Sequence, residues 1–182
     1  MIRLAIVGTS GRNPSDLKML SINHMKWMAD NVKCYIEHVL KTTPDNIILV
    51  SGGSAWADHV AIQLYLEKIF GGLELYLPSK FDPKQKKYVN THEGRTLNIL
   101  HANCQEKTGY DVFTELTSVA SSPKVKITIK RGFLARNTLV AKNSDHLIAF
   151  TFSKDVPTEG GTLHTWQKVL HQNKIHFDLS TV

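Results

Sequence analysis

The chain opens on "IRLAIVG", a short apolar run closed by Gly8, which predicts a buried strand over 2–8. "TSGRNPSD" follows as a loop of turn formers. Over 21–41, Ile22, Met25, Met28, Val32, Ile36 and Val39 recur at steps of three and four. That spacing puts one apolar face along an amphipathic helix. "NIILV" predicts a second strand, and Ala57, Val60, Ala61, Leu64 and Ile69 a second helix over 56–70. "LELYLP" predicts a third strand, stopped by Pro78. From 81 to 131 the periodicity loosens. Short helices near 93–104 and 110–120 and a strand at 124–129 are expected there. After it, "FLARNTLVAKNSD" reads as a helix, "HLIAF" as a strand and "TFSKDVPTEGG" as a loop. "TLHTWQKVLHQ" is a helix and "IHFDLS" the last strand.

Strands that alternate with helices predict an α/β fold, a Rossmann-like doubly wound parallel sheet with right-handed crossovers. The suggested strand order is 3-2-1-4-5. The 182 residues suit one domain spanning 1–182, with 81–131 as an insertion after the third strand. In such sheets ligands collect at the carboxyl ends of the strands. Three loops are expected there, 8–15, 51–56 and 151–161, and all three carry glycine and hydroxyl residues.

Composition narrows the class. Apolar residues make 42% of the chain and charged ones 21%, enough for a full core. No apolar run approaches the ~20 residues that span a bilayer, so no membrane partner is expected. The first residues read directly as strand and turn, not as a signal peptide. Cys34 and Cys104 form no CxxC pair, which points to a reducing, cytoplasmic compartment. The nine histidines show no HExxH, and His101 and Cys104, three apart, have no second such pair; no metal and no cofactor are assigned. The net charge of +6 is unevenly placed: residues 80–131 hold ten Lys/Arg against five acids. Such a block is either a solvated surface or an attractor of nucleic acid and anionic ligands.

The candidate chemistry lies in the three loops. Gly52, Gly53 and Ser54, at the mouth of the second strand, let the backbone approach a ligand and open N–H groups at a helix start. They also serve a plain strand-to-helix turn. Gly8, Thr9, Ser10, Gly11 and Arg12 offer hydroxyls and a guanidinium to phosphate or ribose oxygens. Gly160, Gly161 and Thr162 open the last helix, where backbone N–H groups and a hydroxyl suit phosphate or an N-cap. Asp58, in the first turn of the second helix, is either a dipole-stabilised carboxylate or a catalytic or ribose-binding one. Arg136 either reaches a ligand or bridges to Asp58 or Asp145.

"AIVGTSGR", "ILVSGGSAWADHVAI", "RNTLVAKNSDHLIAF" and "EGGTLHTWQKV", in that order, resemble the SLOG superfamily. This Rossmann-like group includes the DNA-processing protein DprA and the LOG phosphoribohydrolases. The match covers about two thirds of the chain and leaves 81–131 uncovered. "SGGSAWADHVA" resembles the family's Gly-Gly-Ala-x-Gly-Ala-Asp stretch, with Trp56 where a glycine is usual. Arg136 and Asn137 fall on the family's arginine-asparagine helix, and Gly160-Gly161-Thr162 on its phosphate-binding turn. The resemblance implies binding of a nucleotide or nucleotide-derived ligand. LOG enzymes carry a glutamate just after the threonine of that turn, where it takes part in cleaving the base–ribose bond. Here His164 and Thr165 occupy that region.

Three functions stay open. The first is a nucleotide N-glycosidase, with Glu159 or Asp58 supplying the carboxylate that stabilises positive charge at the sugar. The second is a ligand sensor without chemistry, which the missing glutamate favours. The third is DprA-like binding of single-stranded nucleic acid through the basic segment, with Lys84, Lys86 and Lys87 as contacts. Stacking would then fall to Phe81, Tyr88, Tyr110, Phe113 or Phe133. A homodimer or higher homo-oligomer is expected.

Overall fold

The computed structural model describes residues 1–67 and 69–182. A parallel six-stranded sheet forms its centre. The elements, in chain order, are β1 (Ile2–Gly8), α1 (Pro14–Met19), α2 (Ile22–Tyr35), β2 (Ile47–Ser51), α3 (Ala57–Leu66) and β3 (Gly72–Leu77). The short strands β4 (Phe81–Asp82) and β5 (Lys87–Tyr88) come next, then α4 (His92–Thr108), α5 (Val112–Ala120) and β6 (Val125–Ile129). The chain closes with α6 (Phe133–Lys142), β7 (His146–Thr151), α7 (Gly160–Lys168) and β8 (Lys174–Asp178). The sheet order is β6-β3-β2-β1-β7-β8, while β4 and β5 make a separate antiparallel pair. This is a mixed α/β fold consistent with a Rossmann-like doubly wound topology.

Side-chain alternation divides the core between the two faces of the sheet. Leu4 and Ile6 of β1, Leu49 of β2, Leu75 of β3 and Phe150 of β7 join the larger cluster, with Met28, Val60, Leu97 and Leu116 from the helices. Ala5, Val7, Val50 and Ala149 point the other way, to Val140 and Ala141 of α6 and Val169 after α7. All of these are at most 5% exposed, so each large aliphatic contributes about 1.5–3 kcal/mol of burial. Leu4→Ala would remove that contribution and leave a cavity, at a cost of about 2–5 kcal/mol.

Several element boundaries depart from expectation. The loop after β1 contains α1, capped by the Asn13 side chain on Ser15 N at 2.9 Å and started by Pro14. The helix over 21–41 changes to a π-helical turn at Ile36–Leu40 and stops at left-handed Lys41. The wider turn rotates the apolar face, and Val39 is 56% exposed. The helix predicted over 56–70 ends at Leu66, which leaves Ile69 outside it and exposed. The helix predicted from Phe133 to Asp145 ends at Lys142. The last helix begins two residues earlier than expected, at Gly160, and ends at Lys168 because Val169 is extended. Within 81–131, β6 pairs along β3 from Leu73↔Val125 to Leu77↔Ile129 and forms one edge of the main sheet.

Candidate ligand-binding site

Parallel pairing puts the carboxyl ends of β1, β2 and β7 at one edge of the sheet. A cavity of about 1200 Å³ opens there. Gly8, Thr9, Ser10 and Arg12 line it from the first loop, and Ser54 and Asp58 from the second. Thr158, Glu159, Gly160, Gly161 and Thr162 line it from the last, with Arg136 and Asn137 from α6. Three loops far apart in sequence therefore share one cavity.

Two helix N-termini point into this space. The N-cap of α6 is Gly132 (φ +92°), which has no side chain to cap with, and that of α7 is Glu159, whose side chain makes no capping hydrogen bond. The first turn of a helix leaves N–H groups without intrahelical partners, and the dipole adds partial positive charge. Residues from both first turns line the cavity. Asn137 joins the two helices by donating from Nδ2 to Gly161 O at 3.1 Å. A Cβ on Gly161 would lie 2.8 Å from that nitrogen and would push the Asn137 amide aside.

Between them sits a buried ion pair. Arg136 Nη1 donates to Asp58 Oδ2 at 3.0 Å, and Ser54 N donates to the same oxygen at 3.2 Å. Arg136 Nε is buried without a partner. Burial pushes the Asp58 carboxyl up from its ordinary range, while the Arg136 guanidinium pulls it back down. Gly52 lies against this pair: a Cβ there would come within 1.5 Å of Arg136 Nη1. Asp145, the other partner considered for Arg136, instead accepts from Arg3 N at 2.8 Å.

The remaining expected residues lie around the cavity rather than in its lining. Gly53 (φ +66°) packs on Leu77, and its carbonyl accepts from the Tyr88 hydroxyl at 2.9 Å. Gly11 (φ +71°) faces the buried Trp56 indole, which would be 2.8 Å from an added Cβ. Trp56 itself holds φ +60°, in the left-handed region that favours glycine. Lys84, Lys86 and Lys87 are exposed on the β4–β5 hairpin, with Lys86 Nζ donating to Thr114 Oγ1 at 3.2 Å. Phe81 and Tyr88 are core residues, 6% and 1% exposed, and offer no stacking face. His101 and Cys104 are buried in the core, and among the described residues no group of three or more His, Cys, Asp or Glu is placed to hold a metal ion. No helix among the described residues is long and apolar enough to cross a membrane.

Sequence reasoning missed Asp16, Asn13 and Phe152, which also line the cavity, and Phe133, considered for stacking on nucleic acid, lines it with them. Asn13 Nδ2 donates to Glu159 Oε1 at 3.4 Å and ties the first loop to the start of α7. Phe133 carries Arg12 over its ring, 5.4 Å from the centroid. The "NPSD" string, with a cap residue, a helix-starting proline and an acid in the first turn, held the signal for both Asn13 and Asp16. His164 is turned toward α6, where its Nε2 lies 3.1 Å from Thr138 Oγ1. Thr165 lines the cavity and donates to Gly161 O at 3.0 Å.

No protein-family model matches the chain, and no solved structure matches it. Among curated proteins, "Uncharacterized protein R261" of Acanthamoeba polyphaga mimivirus is 48% identical over 179 residues. The alignment covers 98% of this chain and 97% of the viral protein.

Proposed function

The chain belongs to the same family as that mimivirus protein, and we propose that it binds a nucleotide or nucleotide-derived ligand in the cavity at the carboxyl edge of the sheet, as a SLOG-type protein. The observation that carries this reading is the pair of uncapped helix N-termini, α6 and α7, lining one cavity beside a buried arginine. Each end supplies unpaired N–H groups and partial positive charge, the physical requirement for a phosphate. Phe133 and Phe152, both in the lining, give a base apolar surface to lie against. The cavity volume accommodates a ligand of nucleotide size.

The reading favours sensing over hydrolysis. Asp58 Oδ2 already accepts from Arg136 and from Ser54 N, and Thr165 and His164 stand where LOG enzymes carry their glutamate. Glu159 is the acid left for a hydrolytic role: it is exposed at the cavity rim and has no cationic partner among the described residues. A homodimer or higher homo-oligomer in a cytoplasmic setting belongs to the same proposal and is read by light scattering of the purified protein. Native mass spectrometry and a thermal-shift screen against nucleotides, cyclic nucleotides and ADP-ribose derivatives test the binding reading. A bound species or a saturable rise in melting temperature is expected. No shift with any of them, at millimolar concentration, would sink it.

A further inference from the structure

Two carboxylates of the cavity lining have no cationic partner among the described residues: Glu159, exposed at the rim and accepting from Asn13 Nδ2 at 3.4 Å, and Asp16, which the phosphate reading leaves unexplained. Asp16 lines the same space, yet a carboxylate repels a phosphate. Among the described residues no Lys, Arg or His lies within ion-pair distance of it. Arg12, four positions away, lies over the Phe133 ring instead. What holds Asp16 is neutral: Thr9 Oγ1 donates to its Oδ2 at 2.7 Å. Thr9 is 8% exposed, and its oxygen is itself fixed by accepting from Gly11 N at 3.2 Å. A backbone N–H, a buried hydroxyl and the carboxylate thus form a relay that aims and immobilises Asp16 without neutralising it.

An ionised carboxylate offers only acceptor sites, about four lone pairs, of which Thr9 uses one. The complementary ligand group must donate and must not be anionic. A vicinal diol meets both conditions with two O–H donors. Resting on the nucleotide reading above, we infer that Asp16 receives the ribose hydroxyls of the ligand, so that the cavity selects ribonucleotides over 2′-deoxyribonucleotides. The cavity is then divided: phosphate at the α6 and α7 ends, where the dipoles are positive, and sugar at Asp16, where the phosphate cannot sit. The selection comes from the loop after the first strand, through a residue whose orientation depends on Thr9.

The test is calorimetric titration of the full chain with the four ribonucleoside 5′-monophosphates and their 2′-deoxy counterparts. Wild type should prefer the ribose form of its best ligand by about 10- to 100-fold, the worth of a hydrogen bond to a charged group. Asp16→Asn and Asp16→Ala should weaken the ribonucleotide and leave the deoxynucleotide unchanged or tighter, reducing the preference to roughly threefold or less. Thr9→Val keeps the carboxylate but frees it, and should give an intermediate preference; it carries the test if the Asp16 variants fold poorly. Equal binding of both sugars by wild type, or a preference retained in Asp16→Ala, overturns the inference while nucleotide binding stands. Absence of binding by all eight nucleotides overturns this inference, whereas the nucleotide reading falls only if the cyclic nucleotides and ADP-ribose derivatives of the wider screen fail as well.

Discussion

Cutting the Asp58–Arg136 pair in half should unfold much of the margin by which this chain is stable. Both residues are 5% exposed, and their contact is 3.0 Å. Asp58→Asn keeps the shape of the side chain and removes its charge. The guanidinium is then buried with no counter-charge, and its Nε already lacks a partner. Stranding one member of such a pair costs about 3–5 kcal/mol, because desolvation is no longer offset. Arg136→Met strands the carboxylate instead, with the Ser54 N–H at 3.2 Å as its remaining donor. That variant can recover part of the loss by protonating Asp58, whose carboxyl burial already pushes up. A folded-state pKa above the unfolded one gives stability that is present at low pH and lost as pH rises through the folded value. Arg136→Met should therefore lose less, relative to wild type, at acid pH than at neutral pH, whereas Asp58→Asn should show no such relief.

The double variant Asp58→Asn with Arg136→Met removes both charges, so its loss should fall well short of the sum of the singles. Urea unfolding at 25 °C of the four proteins closes the cycle. In a domain of this size each kcal/mol moves the melting temperature by about 2–4 °C, so each single variant should melt roughly 6–20 °C lower. A coupling energy below about 0.5 kcal/mol would refute the reasoning, since contacting charges in a dry site must sense each other. So would an Asp58→Asn variant that loses less than about 1 kcal/mol.

His101 is fully buried, and burial, aided by neighbouring His59, pushes its pKa down to about 3. The unfolded chain takes up that proton near the ordinary value of 6.5 and the folded chain does not, so stability should drain away as pH falls below 6.5, by about 2 kcal/mol at pH 5. Urea midpoints from pH 7 to 4.5 should show this slope, flattened in His101→Gln; parallel slopes would assign the acid sensitivity to other groups. Glu159→Gln should bind nucleotide as wild type does, because Glu159 is exposed and makes no capping bond, and should abolish base release if wild type releases base from a nucleoside monophosphate. Release that persists in the variant would remove Glu159 from the chemistry. Replacing Lys84, Lys86 and Lys87 with glutamine should leave nucleotide affinity within about twofold, since none of them lines the cavity. If wild type also binds single-stranded nucleic acid, that binding should weaken and its salt slope fall by about one unit per lost contact. A loss of nucleotide binding in the triple variant would instead place the hairpin over the cavity.

The period of the apolar pattern made the sheet readable, because strands buried on both faces alternate between two cores: Leu4 and Ile6 of β1 to one, Ala5 and Val7 to the other. The errors are local and have local causes. Val39 has helical spacing in the sequence, but it lies inside the π-helical turn Ile36–Leu40, which shifts the register. α1 went unseen because its six residues are too few to show a period, although Asn13 and Pro14 mark its start. α7 includes Gly160 and Gly161 in its first turn, where the Asn137 amide donates to Gly161 O.

The site was half legible for a different reason. Loops at one sheet edge converge whenever the strands are parallel, so glycine and hydroxyl content alone nominates 8–12 and 160–162. Partnerships within the site obey no such rule. Asp58 and Arg136 are 78 residues apart, and either could have faced solvent. The same holds for Trp56. No spacing rule announces its positive φ, which the structure holds at +60°. That conformation is strained for a tryptophan and persists because the ring is fully buried beneath the first loop. The ring in turn forbids a side chain at Gly11. Gly11 N donates to Thr9 Oγ1, and Thr9 orients Asp16. A residue that looks like a departure from the glycine pattern of the second loop thus helps to set the geometry of the first, through contacts that only the packed sheet brings together.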